Sequence, residues 1–508
     1  MYKAHINYLK ILLIIIVIAI ISGCSKEEIK LKSSIVAQVG DRSISAPEFL
    51  LNYEFGFAHL KKLPDKKRSY LEYMINEKLL SLEGYRLGLD KMGRLKNLEE
   101  RLLEELLVEE MFKKEVDDKI KITSEEIKKA IARSKVRWKL RYWVEPTIEA
   151  SDYLYRSIQE LGSVNIGQKN LETGYLTWID FPPELLNKIK NLEIGEISEP
   201  VEYDDLFYLL QVTDIRMEGL SDYDYQNTYK RYEQILFSRK IKEKTAKYVS
   251  RFMTPKNVVT KGEEFRILAD ALAEWKQQVE NLRTFSEFLD KAEDLGPASL
   301  LLKSHSENRL ISFDDGSWSL KEFMSRFDPA SIRTDPANKH RFRNELNRQI
   351  AMSIRNHLLA KEAKKRGFDR SSEVQKQLRL WRDKWVYEEM RIFYTKNVKI
   401  DKTVALAYFE EHKSQYKTAN GTEPTYNEFA DQAKQYAYLE EAQQLLEQKI
   451  QTLKKEFTVK INQDLLDSIS VIDFEKSRWA NVLLFKGSSG RLAIPSVDPA
   501  WGWEANYN

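Results

Sequence analysis

The chain has 508 residues, enough for about three to four domains, and its 42% hydrophobic and 31% charged residues are typical of a water-soluble protein. Its 81 basic and 78 acidic residues leave a net charge of +3, which argues against nucleic-acid binding through bulk positive charge. One cysteine excludes a disulfide framework and any CxxC zinc or redox motif, and six scattered histidines offer little basis for a metal site.

The first 24 residues have the pattern of a bacterial export signal. Basic residues precede the apolar run ILLIIIVIAII (11–21), which is too short for an ordinary membrane span and suits a signal-peptide core. Ser22 and Gly23 lead to Cys24, and Ile-Ser-Gly-Cys resembles the lipobox of bacterial lipoproteins. This resemblance implies cleavage before Cys24, acylation of its thiol and work outside the cytoplasm, where ATP is absent. A plain secretory signal or an anchor helix is the alternative.

A strand pair and several amphipathic helices are predicted over residues 35–135. Apolar residues alternate in VAQVGDRSIS, which indicates a hairpin, and Ser45 can cap the helix that follows. Leucines and isoleucines then recur at helical spacing through two longer helices, the first ending near Gly88. Thr123 or Ser124 is expected to cap a further helix.

A different pattern follows, with strands and helices in the order β-α-β-α-β-β. Apolar residues alternate in KLRYWVE (139–145), and helices are predicted over 149–161 and from Pro183 to Ile189. The second strand is predicted at Tyr175–Trp178, between the two helices. PVEY and LFYLLQVTDI are the last two predicted strands. The order predicts a small α+β unit.

The first helical segment recurs later in the chain. A shift of 279 residues gives nine identities in the 41 positions from 71 to 111, and it pairs Leu79 with Leu358. The order of hairpin, capped helix, helix ending at Gly and long helix also recurs, and Asp314-Asp315-Gly316 is expected to be a hairpin turn rather than a calcium loop. These observations predict a duplicated module rather than a solenoid.

The fold class predicted from these elements is mainly α with a small α+β domain, in which duplicated helical modules flank the β-α-β-α-β-β domain. The remaining segments are a charged helical connector broken at Pro255, a long polar helix over 425–456 followed by the strand FTVKI, and a tail with three tryptophans that is either a packed extension or partly disordered. The predicted segments are 1–23 signal peptide, 24–34 linker, 35–135 helical module, 136–218 α+β domain, 219–305 connector, 306–415 second module, 416–475 helix and strand, and 476–508 tail.

Several of these motifs together resemble a known family. The hairpin, leucine-rich helices and ITSEEIKKAI resemble the N-terminal chaperone module of the SurA, PrsA and PpiD foldases. Within 136–218, the stretch from Gly174 through Trp178 resembles the Gly-x-Leu-x-Trp strand of parvulin-type peptidylprolyl isomerases, and the stretch from Gly195 to Val201 resembles their Gly-x-Ile-Ser-x-Pro-Val segment. The resemblance implies a parvulin domain between two chaperone modules.

The sequence departs from the parvulin pattern at the two positions where that family has its active-site histidines. The family has two histidines facing each other across the sheet, but Tyr142 and Tyr208 stand at those positions, and there is no histidine between 137 and 217. A pair of hydroxyls can donate hydrogen bonds to a twisted imide but cannot keep a histidine network. The sequence therefore predicts a weak or inactive isomerase domain. Trp178 and Phe181 are further candidate site positions, and whether Phe181 contacts a bound peptide is left open by the sequence. Ordinary sheet packing is the alternative for both tyrosines.

The expected function is that of a lipid-anchored extracytoplasmic chaperone that holds unfolded or nascent exported proteins without ATP. Trp381 and Trp385 lie one helical turn apart, as core residues or as a client-binding stripe. An active isomerase, or a structural lipoprotein with one fixed partner, are the alternatives. The predicted partners are clients and, through the anchor, a membrane, without nucleic acid, metal or cofactor. The predicted location is the periplasmic face of an envelope membrane, with the cell surface as alternative because Ser25-Lys26-Glu27-Glu28 resembles a surface-export signal.

Overall fold

Helices dominate the computed structural model, which describes residues 34–162, 170–278, 285–418, 421–471, 485–486 and 491–503. The helices are α1 Ala46–Phe55, α2 Lys66–Arg86, α3 Gly93–Glu115, α4 Ser124–Arg133, α5 Ile148–Leu161, α6 Pro183–Ile189, α7 Asp222–Met253, α8 Gly262–Gln278, α9 Phe285–Asp290, α10 Ala292–Leu295, α11 Pro297–Ser304, α12 Leu320–Arg326, α13 Lys339–Lys365, α14 Ser372–Thr395, α15 Lys402–Glu411, α16 Tyr426–Glu456 and α17 Gln463–Ser468. The strands are β1 Ile35–Val39, β2 Arg42–Ser45, β3 Val136–Glu145, β4 Leu171–Glu172, β5 Val201–Tyr203, β6 Leu206–Met217, β7 Val259–Thr260, β8 Arg309–Phe313, β9 Gly316–Ser319, β10 Val459–Ile461, β11 Phe485–Lys486 and β12 Arg491–Leu492. The predicted fold class is confirmed.

The described residues form two compact units. Unit 1 combines the chain up to Glu110 with the chain from Glu362 onwards, and unit 2 comprises Met111–Lys361. The main core of unit 1 gathers β1, α1 and α2 with α14 and α16. Unit 2 has one core around α8, β8, α12 and α13 and a second on one face of a four-stranded sheet.

The two sequence copies have the same order of elements. In each copy a hairpin leads directly into a helix capped by a serine, since the hydroxyls of Ser45 and Ser319 each accept a hydrogen bond from the backbone N–H three residues later. In each copy the long second helix stops at a left-handed glycine, Gly88 at φ +74° and Gly367 at φ +77°, and a short 3₁₀ turn and another long helix follow. The predicted turn between Phe313 and Gly316 joins β8 to β9.

Neither copy completes its own small sheet. Strand β10 follows the second copy and pairs antiparallel with β1 of the first, with Val39 opposite Val459. Strand β7 follows the first copy and pairs antiparallel with β8 of the second, with Thr260 opposite Ile311. Helix α14 of the second copy also packs along α2 of the first in unit 1. Each hairpin is therefore extended by a strand that follows the other copy in the chain.

A buried ionic cluster lies where α14 meets α2. The side chain of Asp383 is 3% exposed, and its carboxylate accepts hydrogen bonds from Lys78 Nζ at 3.1 Å and Tyr85 Oη at 3.0 Å, while Arg42 Nε lies 3.4 Å away. Glu48 Oε1 lies 3.7 Å from Lys78 Nζ. Burial raises the pKa of Glu48; burial alone would lower the pKa of Lys78, but the two carboxylates outweigh it and raise that pKa.

The C-terminal residues 493–503 pack on unit 1 as an irregular segment, which agrees with a packed extension. Ile494, Val497, Trp501 and Trp503 are buried. The predicted signal peptide, the lipobox and Cys24 lie outside the described residues. Among the helices that the structure describes, none combines the length and apolar character that crossing a membrane requires.

Candidate functional site at the four-stranded sheet

The parvulin-like segment forms an antiparallel sheet with the strand order β4-β3-β6-β5. The predicted β-α-β-α-β-β order and the helix Pro183–Ile189 are confirmed. The stretch around Tyr175–Trp178 is different from a full strand: only Leu176 forms a bridge, to Trp138, and Trp178 begins a 3₁₀ turn. The short strand β4 lies a few residues earlier.

Tyr142 and Tyr208 lie on the same face of the sheet, on neighbouring strands. Tyr142 is opposite Leu210, and Tyr208 is opposite Val144, so the tyrosines are diagonal neighbours rather than a directly opposed pair. Both are half-buried against the core of this face. The ring of Tyr208 also makes an edge contact with Tyr203, with 6.1 Å between centroids. The resulting aromatic patch supplies phenolic hydroxyls and no imidazole.

Trp178 lies beneath α4 and α7, and both Trp178 and Phe181 are buried. Trp178 is 3% exposed, its Nε1 donates to the Ala130 carbonyl oxygen of α4 at 3.0 Å, and its ring stacks on Tyr232 of α7 at 6.3 Å. Phe181 is 6% exposed and makes an edge contact with Trp138 at 6.4 Å. As placed here, neither ring offers a surface to a bound peptide.

An arginine from α7 fixes this segment. The Arg239 guanidinium lies 4.3 Å from the Trp178 ring centroid, and its Nη2 donates to the carbonyl oxygens of Trp178, Ile179 and Phe181 at 3.0, 3.3 and 3.1 Å. Burial, followed by the nearby Arg133, lowers the pKa of Arg239. Sequence reasoning missed this residue, because nothing in the local pattern of α7 distinguishes it from the other basic residues of the helix.

Trp381 and Trp385 lie together on α14, far along the chain from the sheet, and line a small cluster within unit 1. Their ring centroids are 6.0 Å apart, and both half-buried rings pack on a cluster that includes Leu102 and Leu106 of α3. The 279-residue shift relates Leu102 to Trp381 and Leu106 to Trp385, so equivalent positions of the two copies meet here. This packing supports the core interpretation and leaves part of each ring at the surface.

Tyr142 and Tyr208 offer hydrogen bonding and apolar contact on this face of the sheet. Three or more metal-ligating side chains do not come together anywhere in the described ranges. The two tyrosine hydroxyls can donate or accept hydrogen bonds, but no histidine of the chain lies within this segment.

Comparison with known proteins gives structural neighbours alone. No family model and no curated protein matches the chain. PrsA of Bacillus anthracis, a peptidylprolyl isomerase, is 14% identical and matches over 35% of this chain and 96% of its own, with a TM-score of 0.18. A Campylobacter jejuni structure described as one of the SurA-like chaperones PEB4 and Cj1289 is 18% identical over 45% of this chain and all of its own, with a TM-score of 0.21. The foldase PrsA of Lactococcus lactis is 12% identical over 43% and 93%, with a TM-score of 0.19. The structural neighbours are thus PrsA and SurA-like chaperones, the group that the sequence motifs resemble.

Proposed function

We propose that the protein is an envelope chaperone that holds unfolded client chains, with a parvulin-like domain that does not catalyse prolyl isomerisation. The observation that carries the proposal is the closure of the parvulin-like face. Trp178 is covered by α4 and α7, Phe181 is buried against Trp138 of β3, and Arg239 of α7 holds three carbonyl groups of their segment. A catalyst would need an open apolar bowl with hydrogen-bond donors aimed at a twisted imide.

Holding a client needs no catalytic group and no nucleotide. Unfolded chains expose apolar side chains, which helical surfaces can cover reversibly. Apolar residues such as Ile392, Phe393, Leu87 and Met92 remain exposed on unit 1. Scattered contacts of this kind are weak and adaptable, which suits many clients rather than one.

A refolding assay separates holding from catalysis. The chain from Ser25 onwards is expected to delay aggregation of a chemically unfolded client at stoichiometric amounts, without ATP. In the same buffer it should not accelerate cis/trans exchange of a prolyl tetrapeptide, for which the uncatalysed reaction takes about tens to hundreds of seconds. Acceleration that Tyr142→Phe or Tyr208→Phe abolishes would make the protein an isomerase, and one stable co-purifying partner without any effect on aggregation would favour a structural lipoprotein.

The proposed location is the periplasmic side of an envelope membrane, through acyl chains on Cys24. Two or three acyl chains would give stable attachment, which a single chain does not. Cys24→Ser is expected to move the protein from the membrane fraction to the soluble fraction, or to block its processing. Ser22→Thr, a matched change that keeps the thiol, should still incorporate a radiolabelled fatty acid. If Cys24→Ser stays in the membrane fraction and the wild type incorporates no radiolabelled fatty acid, the proposed lipid anchor is wrong.

A further inference from the structure

The connection between α1 and α2 presents apolar and basic side chains together at the surface of unit 1. We call residues 57–66 the basic loop. Phe57 is 46% exposed and Leu63 is 43% exposed, and they flank a 3₁₀ turn of four residues, which is about 8 Å long. Lys62 directly precedes Leu63, Lys66 follows three positions later, and both lysines are exposed. Two large apolar side chains and two ammonium groups therefore share one short exposed loop.

The turn inside the basic loop is held by the core of unit 1. Leu60 is fully buried in that core. Lys61 also points inwards, since its Nζ donates a hydrogen bond to the Glu54 carbonyl oxygen at 3.2 Å. Because Leu60 and Lys61 take the inward positions of the turn, Phe57 and Leu63 are presented outwards in a fixed arrangement, which lowers the ordering cost of binding a surface there.

The basic loop and the first turn of α2 carry an excess of positive charge. Residues 56–69 contain five basic residues and one acidic residue, Asp65, which is occupied as the N-cap of α2. Lys67 Nζ donates to three backbone carbonyl oxygens at the end of α17, at 2.9, 3.0 and 3.2 Å. Carbonyl groups are neutral, so these bonds hold the ammonium group without cancelling its charge. Arg68 pairs with Glu72 at 2.8 Å and contributes less.

The basic loop lies close to the point at which the described chain begins. The Ser34 carbonyl oxygen accepts a hydrogen bond from the Ala46 backbone N–H at 2.9 Å. From Ala46, the ten residues of α1 lead to the loop over about 15 Å. Ser34 follows Cys24 by ten residues, which span at most about 36 Å. The loop is therefore within reach of a bilayer that holds acyl chains on Cys24.

We propose that the basic loop docks on an anionic membrane surface, the headgroups of the bilayer that holds the acylated Cys24. Phe57 and Leu63 enter the boundary between headgroups and acyl chains, and Lys62 and Lys66 lie against the lipid phosphates. The inference rests on the proposed lipid anchor and goes beyond it. The anchor alone attaches the end of a tether, whereas docking holds unit 1 against the bilayer.

Chemical tethering tests the docking independently of acylation in the cell. Cys24 is the only cysteine, so the chain from Cys24 onwards can be coupled through this thiol to a maleimide lipid. Hydrogen exchange is compared on phosphatidylcholine vesicles and on vesicles that also contain phosphatidylglycerol. The amides of residues 57–63 are expected to exchange at least about fivefold more slowly on the anionic vesicles, and high salt should remove the difference. Equal exchange on both kinds of vesicle would overturn the proposal.

Paired variants assign the protection to the basic loop. Lys62→Glu/Lys66→Glu should abolish the difference between the two kinds of vesicle, and Phe57→Ser should reduce the protection on the anionic ones. Lys402→Glu/Lys434→Glu makes the same change of charge at exposed positions of α15 and α16 and should keep the protection of the wild type. If the loop variants also keep it, the proposal is wrong.

The result can be separated from the lipid anchor and from the chaperone function. Protection on anionic vesicles, with no radiolabelled fatty acid on the protein in cells, would reject the anchor and keep the membrane-docking loop. A labelled Cys24 without protection of the loop would do the reverse. Neither measurement depends on whether the protein delays the aggregation of a client.

Discussion

Replacing Asp383 should lower the free energy of unfolding of unit 1, because its carboxylate is buried and holds three partners. Its carboxylate lies between Lys78 and Arg42 and accepts the Tyr85 hydroxyl, and its side chain is only 3% exposed. In Asp383→Ala, Lys78 would keep Glu48 at 3.7 Å as its nearest partner. A buried ammonium group would then lose most of the negative charge that offsets its desolvation.

The expected cost follows from the type of change. Removing one partner of a buried ion pair typically costs about 3–5 kcal/mol. Arg42 is 18% exposed and also pairs with Asp41 at 2.8 Å, so it can turn towards solvent, and we expect about 3–4 kcal/mol. For a unit of this size, that corresponds to a drop in Tm of about 6–16 °C.

Urea unfolding followed by far-UV circular dichroism measures this cost, with the transition of unit 1 fitted separately from that of unit 2. Glu423→Ala removes a 2.8 Å pair to Lys413 in which the glutamate is 81% exposed, and it should cost less than about 0.5 kcal/mol. Lys78→Met combined with Asp383→Leu should cost less than the sum of the two single changes, because the paired charges leave together, while Glu48 loses its lysine partner. A cost below about 1 kcal/mol for Asp383→Ala, or a double variant that simply adds the two single losses, would refute the reasoning.

The same cluster predicts a pH dependence. Burial raises the pKa of Glu48, so the folded state binds its proton more tightly than the unfolded state. This contribution to stability is fully present below the unfolded pKa and is lost as the pH rises through the folded pKa. Glu48→Gln should therefore be more stable relative to the wild type at pH 7 than at pH 4, as measured by unfolding at both values. A relative stability that does not change with pH would contradict this assignment.

Five further substitutions probe packing and backbone conformation. Gly84→Ala should cost about 1–3 kcal/mol, since the added Cβ would lie 2.5 Å from a side-chain atom of α14, whereas Gly93→Ala meets nothing within 4 Å and should change the unfolding free energy by less than about 1 kcal/mol. Asp205→Gly should raise the unfolding free energy by about 1 kcal/mol, because this turn residue has φ +60°. Leu79→Ala and Leu358→Ala, both at fully buried positions, should each cost about 2–5 kcal/mol, the first in the unit 1 transition and the second in that of unit 2.

Local structure could be predicted from the sequence because its causes are local. The hydroxyl of Ser45 caps α1 and that of Thr123 caps α4, as their positions before apolar periodic runs indicated. The long second helix ends near Gly88, where only a residue free to adopt positive φ is unstrained. The strands β5 and β6 also lie where the runs PVEY and LFYLLQVTDI were predicted to be strands.

Partners across long sequence distances could not be predicted. FTVKI has the pattern of a strand, and β10 forms there, but nothing in the pattern shows that Val459 faces Val39 rather than a nearer strand. The two-residue strand β7 falls within a segment predicted to be helical, and its strand conformation is held by pairing with the distant strand β8, which the local sequence does not reveal. The role of Arg239 could not be predicted either, because it depends on carbonyl groups about 60 positions earlier in the chain.

The pairing of β1 with β10 also affects when the sheet of unit 1 can close during folding. The β1–β2 hairpin is a two-stranded sheet until β10 arrives, and a pair of such short strands is marginal in water without a third strand or a packed helix. Because β10 lies more than 400 positions after β1, closing this sheet requires nearly the whole chain. Unit 2 contains all the strands of its own two sheets between Val136 and Ser319 and can fold before the C-terminal residues are made. Unit 1, with the ionic cluster at Asp383, draws on both ends of the described chain, so its three-stranded sheet is complete only after β10 has been made.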